Sequence, residues 1–216
     1  CIRDRYINEC ISDVAYLSLS RPAGTLAKSG QGDDAKSMLS LIAENIADRN
    51  SGFKNLVITD SSGNIVYEYE DIQGMKESFF GFEELEGYSE GSTKISKIYM
   101  NNEDYETSVF YVAKSIDADG LNNIDGFAIE IIDLSKISEI LSKTSYGEGK
   151  GYLSVTDGTG CVLNYEGNAV QKIDDITDSG IRDVMKSTVK PTSAENNIDY
   201  NVGGKLGCYN YFTGAS

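Results

Sequence analysis

The sequence predicts an α+β fold: a long N-terminal helix, then two tandem modules built on antiparallel sheets, the second smaller and lacking its last strand. Three observations predict it. Apolar residues in the first fifty positions recur at helical spacing. From Phe53 onward the period becomes that of strands separated by turn residues. A hairpin phrase also occurs twice, Thr59-Asp60-x-x-Gly63-x-Ile65-Val66 returning as Thr156-Asp157-x-x-Gly160-x-Val162-Leu163 at an offset of 97 residues.

Each element follows in order. Ile7, Cys10, Ile11, Val14, Leu17 and Leu19 predict a helix over residues 2–21, which Pro22 and Gly24 kink or break. Asp33 is placed to cap a second helix carrying Met38, Leu39, Ile42 and Ile46 and ending near Asn50-Ser51-Gly52. The run Phe53–Thr59, the turn residues Asp60-Ser61-Ser62-Gly63 and the alternating Ile65–Tyr69 form a hairpin. A stretch with Phe79, Phe80, Phe82 and Leu85 reads as short helix, followed by strands over 94–100, 105–116 and 126–132 and a helix over 134–145. Gly147, Gly149 and Gly151 then break the chain. The second copy brings a hairpin over 152–165, a helix over 176–189 and strands over 198–202 and 206–212. The counterpart of the strand 126–132 would fall beyond Ser216. The expected divisions are a helical region 1–52, a first module 53–146 and an incomplete second module 147–216.

Composition narrows the function. With 34 acidic residues against 19 basic ones the net charge is −15, and a phosphate backbone has no basic cluster to bind. There is no histidine, so a Ser-His-Asp triad and a histidine zinc site are excluded. No apolar run is long enough to cross a bilayer. The chain opens at Cys1 without a methionine, which reads as a piece of a longer protein. The four cysteines have no metal-ligand spacing. Cys161 and Cys208 could pair only on neighbouring strands, and free thiols are the expectation. Asp117, Asp119, Asn122 and Asp125 superficially suggest a calcium loop, but Gly120 and Ala128 stand at the wrong positions, and the reading is a polar hairpin loop. The spaced glycines 147–151 precede a strand and so make a linker, not a phosphate cradle. No cofactor and no metal is expected.

The order of a hairpin, an inserted helical stretch and three further strands resembles the PAS-like plan, and the chain as a whole resembles a double Cache domain. Three stretches carry the likeness: the long N-terminal helix, "VITDSSGNIVY" followed by "KESFFGFEELEGYSEGSTKISKIY", and "DGFAIEIIDLSKISEIL". The resemblance implies an extracellular small-molecule sensor of a bacterial membrane receptor, set between two membrane-spanning helices outside this sequence. The output would be a histidine kinase, a chemoreceptor region or a cyclic-dinucleotide enzyme. It also implies a parallel homodimer through the helix 2–21, which is expected to extend away from the first sheet. The domain itself would not be an enzyme.

The resemblance further implies a ligand site in the first module. Tyr99 matches the family's tyrosine and Phe79 its aromatic, whereas Asn101 and Glu130 stand where aspartates occur and Glu77 stands in place of an arginine that would grip a carboxylate. The expected lining is Phe79, Tyr99, Asn101, Tyr111 and Glu130, against the segment Met75–Gly91. Without the arginine, a cationic or neutral polar ligand is expected. Core packing by itself accounts for the aromatics, and a solvent-facing strand position for Glu130. A surface adhesion or scaffold module, and a hydrolase using two carboxylates, are the competing functions.

Overall fold

The computed structural model describes residues 2–70, 78–86, 91–100, 107–121, 123–143, 145–146, 151–152, 154–156, 160–186, 198–202 and 205–209. Three helices open the chain: α1 (Ile2–Ser18), α2 (Arg21–Ser29) and α3 (Asp33–Arg49). Pro22 does not end a helix; it lies in the first turn of α2, where the missing N–H costs nothing. Ser20 caps that helix, accepting a bond from Ala23 N–H at 3.4 Å, and Gly30 closes it in the left-handed conformation at φ 65°. Gly24 allows a close approach, since a Cβ there would stand 2.8 Å from Ala118 Cβ. The cap of α3 is Gly32, and Asp33, expected to be the cap, is its first helical residue; with Asp34 it puts negative charge at the positive end of the helix.

The five strands β1 (Phe53–Asp60), β2 (Ile65–Glu68), β3 (Thr93–Ile95), β4 (Val109–Ile116) and β5 (Gly126–Asp133) form one antiparallel sheet in the order β2-β1-β5-β4-β3. A short helix, α4 (Phe82–Leu85), lies between β2 and β3. β5 pairs with both β1 and β4, and that central place explains why it is buried along nearly its whole length. Its alternate residues serve two cores. On one face Leu56, Ile58, Ile116 and Ala128 pack with Leu17, Leu26, Leu39 and Ile46 from the helices. On the other, Val57, Val109, Tyr111, Phe127, Ile129 and Ile131 pack with Phe79 and Leu85.

Helix α1 does not extend away from the sheet. Cys10, Val14 and Leu17, spaced by four and three residues, are fully buried, and α1 lies on β4 and β5. The helical stripe is used up by the sheet face it covers. Tyr16 and Leu19 at its end are exposed.

The repeated hairpin is present in both copies with the same register: Thr59 faces Ile65, and Thr156 faces Val162. In the first copy Asp60 makes the turn, its carboxylate accepting from Ser62 N–H at 2.8 Å, Asn64 N–H at 2.9 Å and Asn64 Nδ2 at 2.8 Å. Gly63 stands at φ 82°, and a Cβ there would meet the Phe82 ring at 2.2 Å.

The chain divides into compact units between Asp133 and Leu134, earlier than the expected break at 147. The reason is the helix α5 (Leu134–Ser142), whose buried Leu134 and Leu141 belong with β9 (Cys161–Tyr165) and β10 (Asn168–Lys172), and whose Ser138 Oγ donates to the Ala169 carbonyl at 3.0 Å. The first unit likewise takes in the helical region, because α1–α3 form one core with the sheet. In the second unit β6 (Ser145–Tyr146) pairs with β7 (Gly151–Tyr152), β8 (Val155–Thr156) joins β9 and β10, and β11 (Ile198–Val202) pairs with β12 (Lys205–Tyr209). Helix α6 (Ser179–Lys186) supplies Ile181 to a small core with Val162, Tyr165, Ile173 and Ile176. In the first unit β5 joins the hairpin β1–β2 to the pair β3–β4. Among the described residues of the second, no strand joins β8 to β12, and its strands fall into separate sheets.

Candidate functional site

The outer face of the first sheet carries an aromatic cluster. Phe79 and Phe80 lie 4.6 Å apart between ring centroids, Phe79 and Tyr111 5.1 Å, Phe80 and Tyr99 4.9 Å, and Tyr99 stacks on Tyr111 at 6.1 Å. Tyr99 reaches this position from a single bridge to Val109 that continues the β3 edge beyond Ile95. Phe79 is tied to the first hairpin, its N–H donating to the Gly63 carbonyl at 2.9 Å. The same hairpin that opens the repeat therefore positions the aromatic wall.

Polar groups are fixed against these rings. Tyr99 Oη donates to Glu84 Oε1 at 2.5 Å, and Lys97 Nζ approaches the same oxygen at 3.1 Å. The Lys97 ammonium also lies 5.2 Å from the Tyr99 ring centroid, where a cation is attracted by the ring face. Tyr111 Oη donates to the Gly81 carbonyl at 3.0 Å. Burial pushes the Tyr99 phenol up, and the neighbouring Glu84 adds to this; burial, then Tyr99, does the same to Tyr111. Both remain hydroxyl donors at neutral pH. Partial burial raises the Glu84 carboxyl, but the bonds from Tyr99 and Lys97 outweigh it and leave the group below its ordinary range. With the Tyr111 hydroxyl committed to Gly81, the Tyr99 hydroxyl, the Glu84 carboxylate and the Lys97 ammonium against four rings are the means to orient a small polar molecule.

Of the residues expected from sequence, the structure brings together Phe79, Tyr99 and Tyr111. Asn101 and Glu77 lie outside the described residues. Glu130 does not join this face. It pairs across the sheet with Leu56 and Val112, so its side chain lies on the helix-covered side, and it is fully buried rather than solvent-facing. The alternation that separates it from Ile129 and Ile131 also separates it from Tyr111, which faces Ile131 across the strands. Glu84 and Lys97 were not foreseen. Their signal was the acidic pair after the three phenylalanines and the lysine two residues before Tyr99, neither distinct from surface charge.

The acidic loop after β4 keeps its carboxylates occupied. Asp117 accepts from Gly120 N–H at 2.9 Å, Asp125 accepts from Ala118 N–H at 2.8 Å, and Lys28 pairs with Asp119 and lies 3.7 Å from Asp125. Asp117, Asp119 and Asp125 are close enough together to hold an ion, and the Lys28 ammonium offsets part of their charge through Asp119 and Asp125. Cys161 is buried and forms no disulfide.

No protein-family model and no curated protein sequence matches this chain. Solved structures do. The ligand-binding domain of the Pseudomonas aeruginosa PAO1 amino acid chemoreceptor PctC, in complex with GABA, aligns over 97% of this chain and 85% of its own at 13% identity and a TM-score of 0.57. That of the Pseudomonas fluorescens chemoreceptor CtaA, in complex with L-serine, aligns over 95% and 82% at 16% identity and a TM-score of 0.57. A domain of a sensory box/GGDEF family protein from Vibrio parahaemolyticus aligns over 84% and 74% at 13% identity and a TM-score of 0.59. Identities this low speak for architecture alone: the chain has the tandem PAS-like fold of the Cache-type sensor domains of histidine kinases and chemoreceptors.

Proposed function

We propose that this chain is the extracytoplasmic small-molecule sensor of a transmembrane signalling receptor, with ligand held on the outer face of the first sheet. The observation that carries this reading is the cluster of Glu84, Lys97 and the Tyr99 hydroxyl set against Phe79, Phe80 and Tyr111. A core needs aromatic rings, but it does not need a carboxylate and an ammonium held among them at partial exposure. Phe79 and Tyr111, buried beneath, form the apolar floor, the Tyr99 hydroxyl donates to a polar head, and the Glu84 carboxylate accepts from it. A ligand bearing an amino group suits this site: it takes the place of Lys97 on Glu84 and over the Tyr99 ring. The solved relatives' complexes with GABA and L-serine support a ligand of that size. Glu130, behind the sheet, has no part in it. Binding would pass through the sheet to a receptor held in the membrane by helices beyond this sequence, with the domain on the outer side. The domain performs no chemistry of its own.

Thermal shift against amines, amino acids, purines and short carboxylates tests the reading. A ligand at a hundred times its dissociation constant stabilises the fold by about 2.7 kcal/mol. The shift is expected to shrink in both Tyr99→Phe and Glu84→Gln. A hit that keeps its full shift in both variants places the site elsewhere, and a library without any hit favours an adhesion or scaffold module.

A further inference from the structure

Glu130 sits at the middle of the central strand, with no exposed surface, beneath the helical layer. Its surroundings are built but incomplete. Asn50 Nδ2 donates to Glu130 Oε1 at 3.0 Å and also lies 3.5 Å from Cys10 Sγ, while Asn50 Oδ1 accepts from Gly52 N–H at 3.0 Å. Glu130 Oε2 is buried without any hydrogen-bond partner, and so is Tyr6 Oη. Tyr6 is wedged over Gly52, where a Cβ would stand 2.0 Å from its hydroxyl oxygen. The charged and titratable groups facing Glu130 can be named element by element. From α1 come Tyr6, Cys10 and Asp13, with Glu9 beyond them; from the end of α3 comes Arg49; from the end of β5 comes Asp133, which acts on Tyr6. Among the described residues the cation of this group is Arg49, which is engaged by Asp13 at 3.0 Å and is mostly exposed. The strand neighbours Leu56 and Val112 are apolar.

A carboxylate in this place would be a buried negative charge with one amide donor and a second acid nearby, which is costly unless it takes up a proton. We propose that Glu130 is a proton-binding site that couples pH to the docking of helix α1 on the sheet. With the proton in place, Glu130 is neutral, and Cys10 and Tyr6 pack against it. When the proton leaves, the charge is relieved by admitting water, which requires α1 to lift, because α1 supplies the groups that seal the site. Burial, with Asp13 adding to it, pushes the Glu130 carboxyl up to about 8, so the change falls just above neutrality. This response is independent of the ligand face, since Glu130 lies on the other side of the sheet.

Hydrogen exchange on the whole chain at pH 6 and pH 9, corrected for intrinsic exchange, tests it. Protection of the α1 amides is expected to fall by up to about a hundredfold at pH 9 while α3 keeps its protection, and Glu130→Gln is expected to abolish the pH effect. An α1 protection that does not change with pH, or a fall of equal size in Glu130→Gln, overturns the proposal. If that variant does not fold, carbon NMR of the Glu130 carboxyl in the unaltered protein decides. A midpoint near 8 supports the site, and one near the ordinary carboxylate value overturns it.

Discussion

Two buried polar residues on neighbouring strands show how differently the same cost can be met. Asn55 is fully satisfied: its oxygen accepts from Leu56 N–H at 2.8 Å and Glu70 N–H at 3.0 Å, and its nitrogen donates to Glu68 Oε1 at 2.8 Å and Glu70 O at 3.2 Å. Glu130 has one amide donor, the Cys10 thiol beside it, and a buried Oε2 without a conventional hydrogen-bond partner. The sign of its pH dependence follows. Its folded pKa, about 8, is above its ordinary value of 4.5, so folding takes up a proton between those two values. The stability it contributes is complete below about pH 4.5, falls as pH rises toward 8, and changes no further above that. Urea melts at intervals from pH 5 to 9 should show this decline, and Glu130→Gln should flatten it and be the more stable protein at pH 8. Asn50→Ala, which removes the single donor, should cost about 1–3 kcal/mol in the same melts. Gly63→Val should also destabilise, by more than about 1 kcal/mol, because it adds a branched side chain at positive φ against Phe82.

At the scale of elements, position within the helix decides what a proline does. Pro22 occupies the first turn of α2, whereas Ala27 lies in its interior with a hydrogen-bonded N–H and a buried methyl. Pro22→Ala should leave stability within about 1 kcal/mol of the parent, while Ala27→Pro should cost about 3 kcal/mol or more. Comparison of denaturation midpoints separates the two. Helix α1 is a core element for the same kind of reason. Leu17 is wholly buried against the sheet, so Leu17→Ala should cost about 2–5 kcal/mol; a loss below 1 kcal/mol would mean that the helix stands off the sheet.

For the whole molecule, the net charge of −15 spreads self-repulsion over a fold in which, among the described residues, Lys28, Arg49, Lys97, Lys143 and Lys186 are engaged in ion pairs. Raising salt from 10 to 150 mM should therefore raise the melting temperature, since screening relieves repulsion among exposed acids more than it weakens those few pairs. A fall in melting temperature would show that the pairs dominate. The sequence by itself determined the α+β class and the two copies of the hairpin, because the strand period, the Asp60–Gly63 turn chemistry and the repeat are local properties of the chain. Also legible were the strands over 126–132 and 198–202, and Phe79, Tyr99 and Tyr111 as residues of one aromatic cluster that Phe80 completes. Only the tertiary structure decided where α5 belongs, that α1 is spent on the sheet rather than projecting from it, and on which face Glu130 falls. An alternating strand states that residues face opposite sides but not which side meets helices and which meets the aromatic cluster. That assignment depends on what packs over each face, and for β5 the helices that bury Glu130 come from residues about eighty to a hundred and thirty positions away.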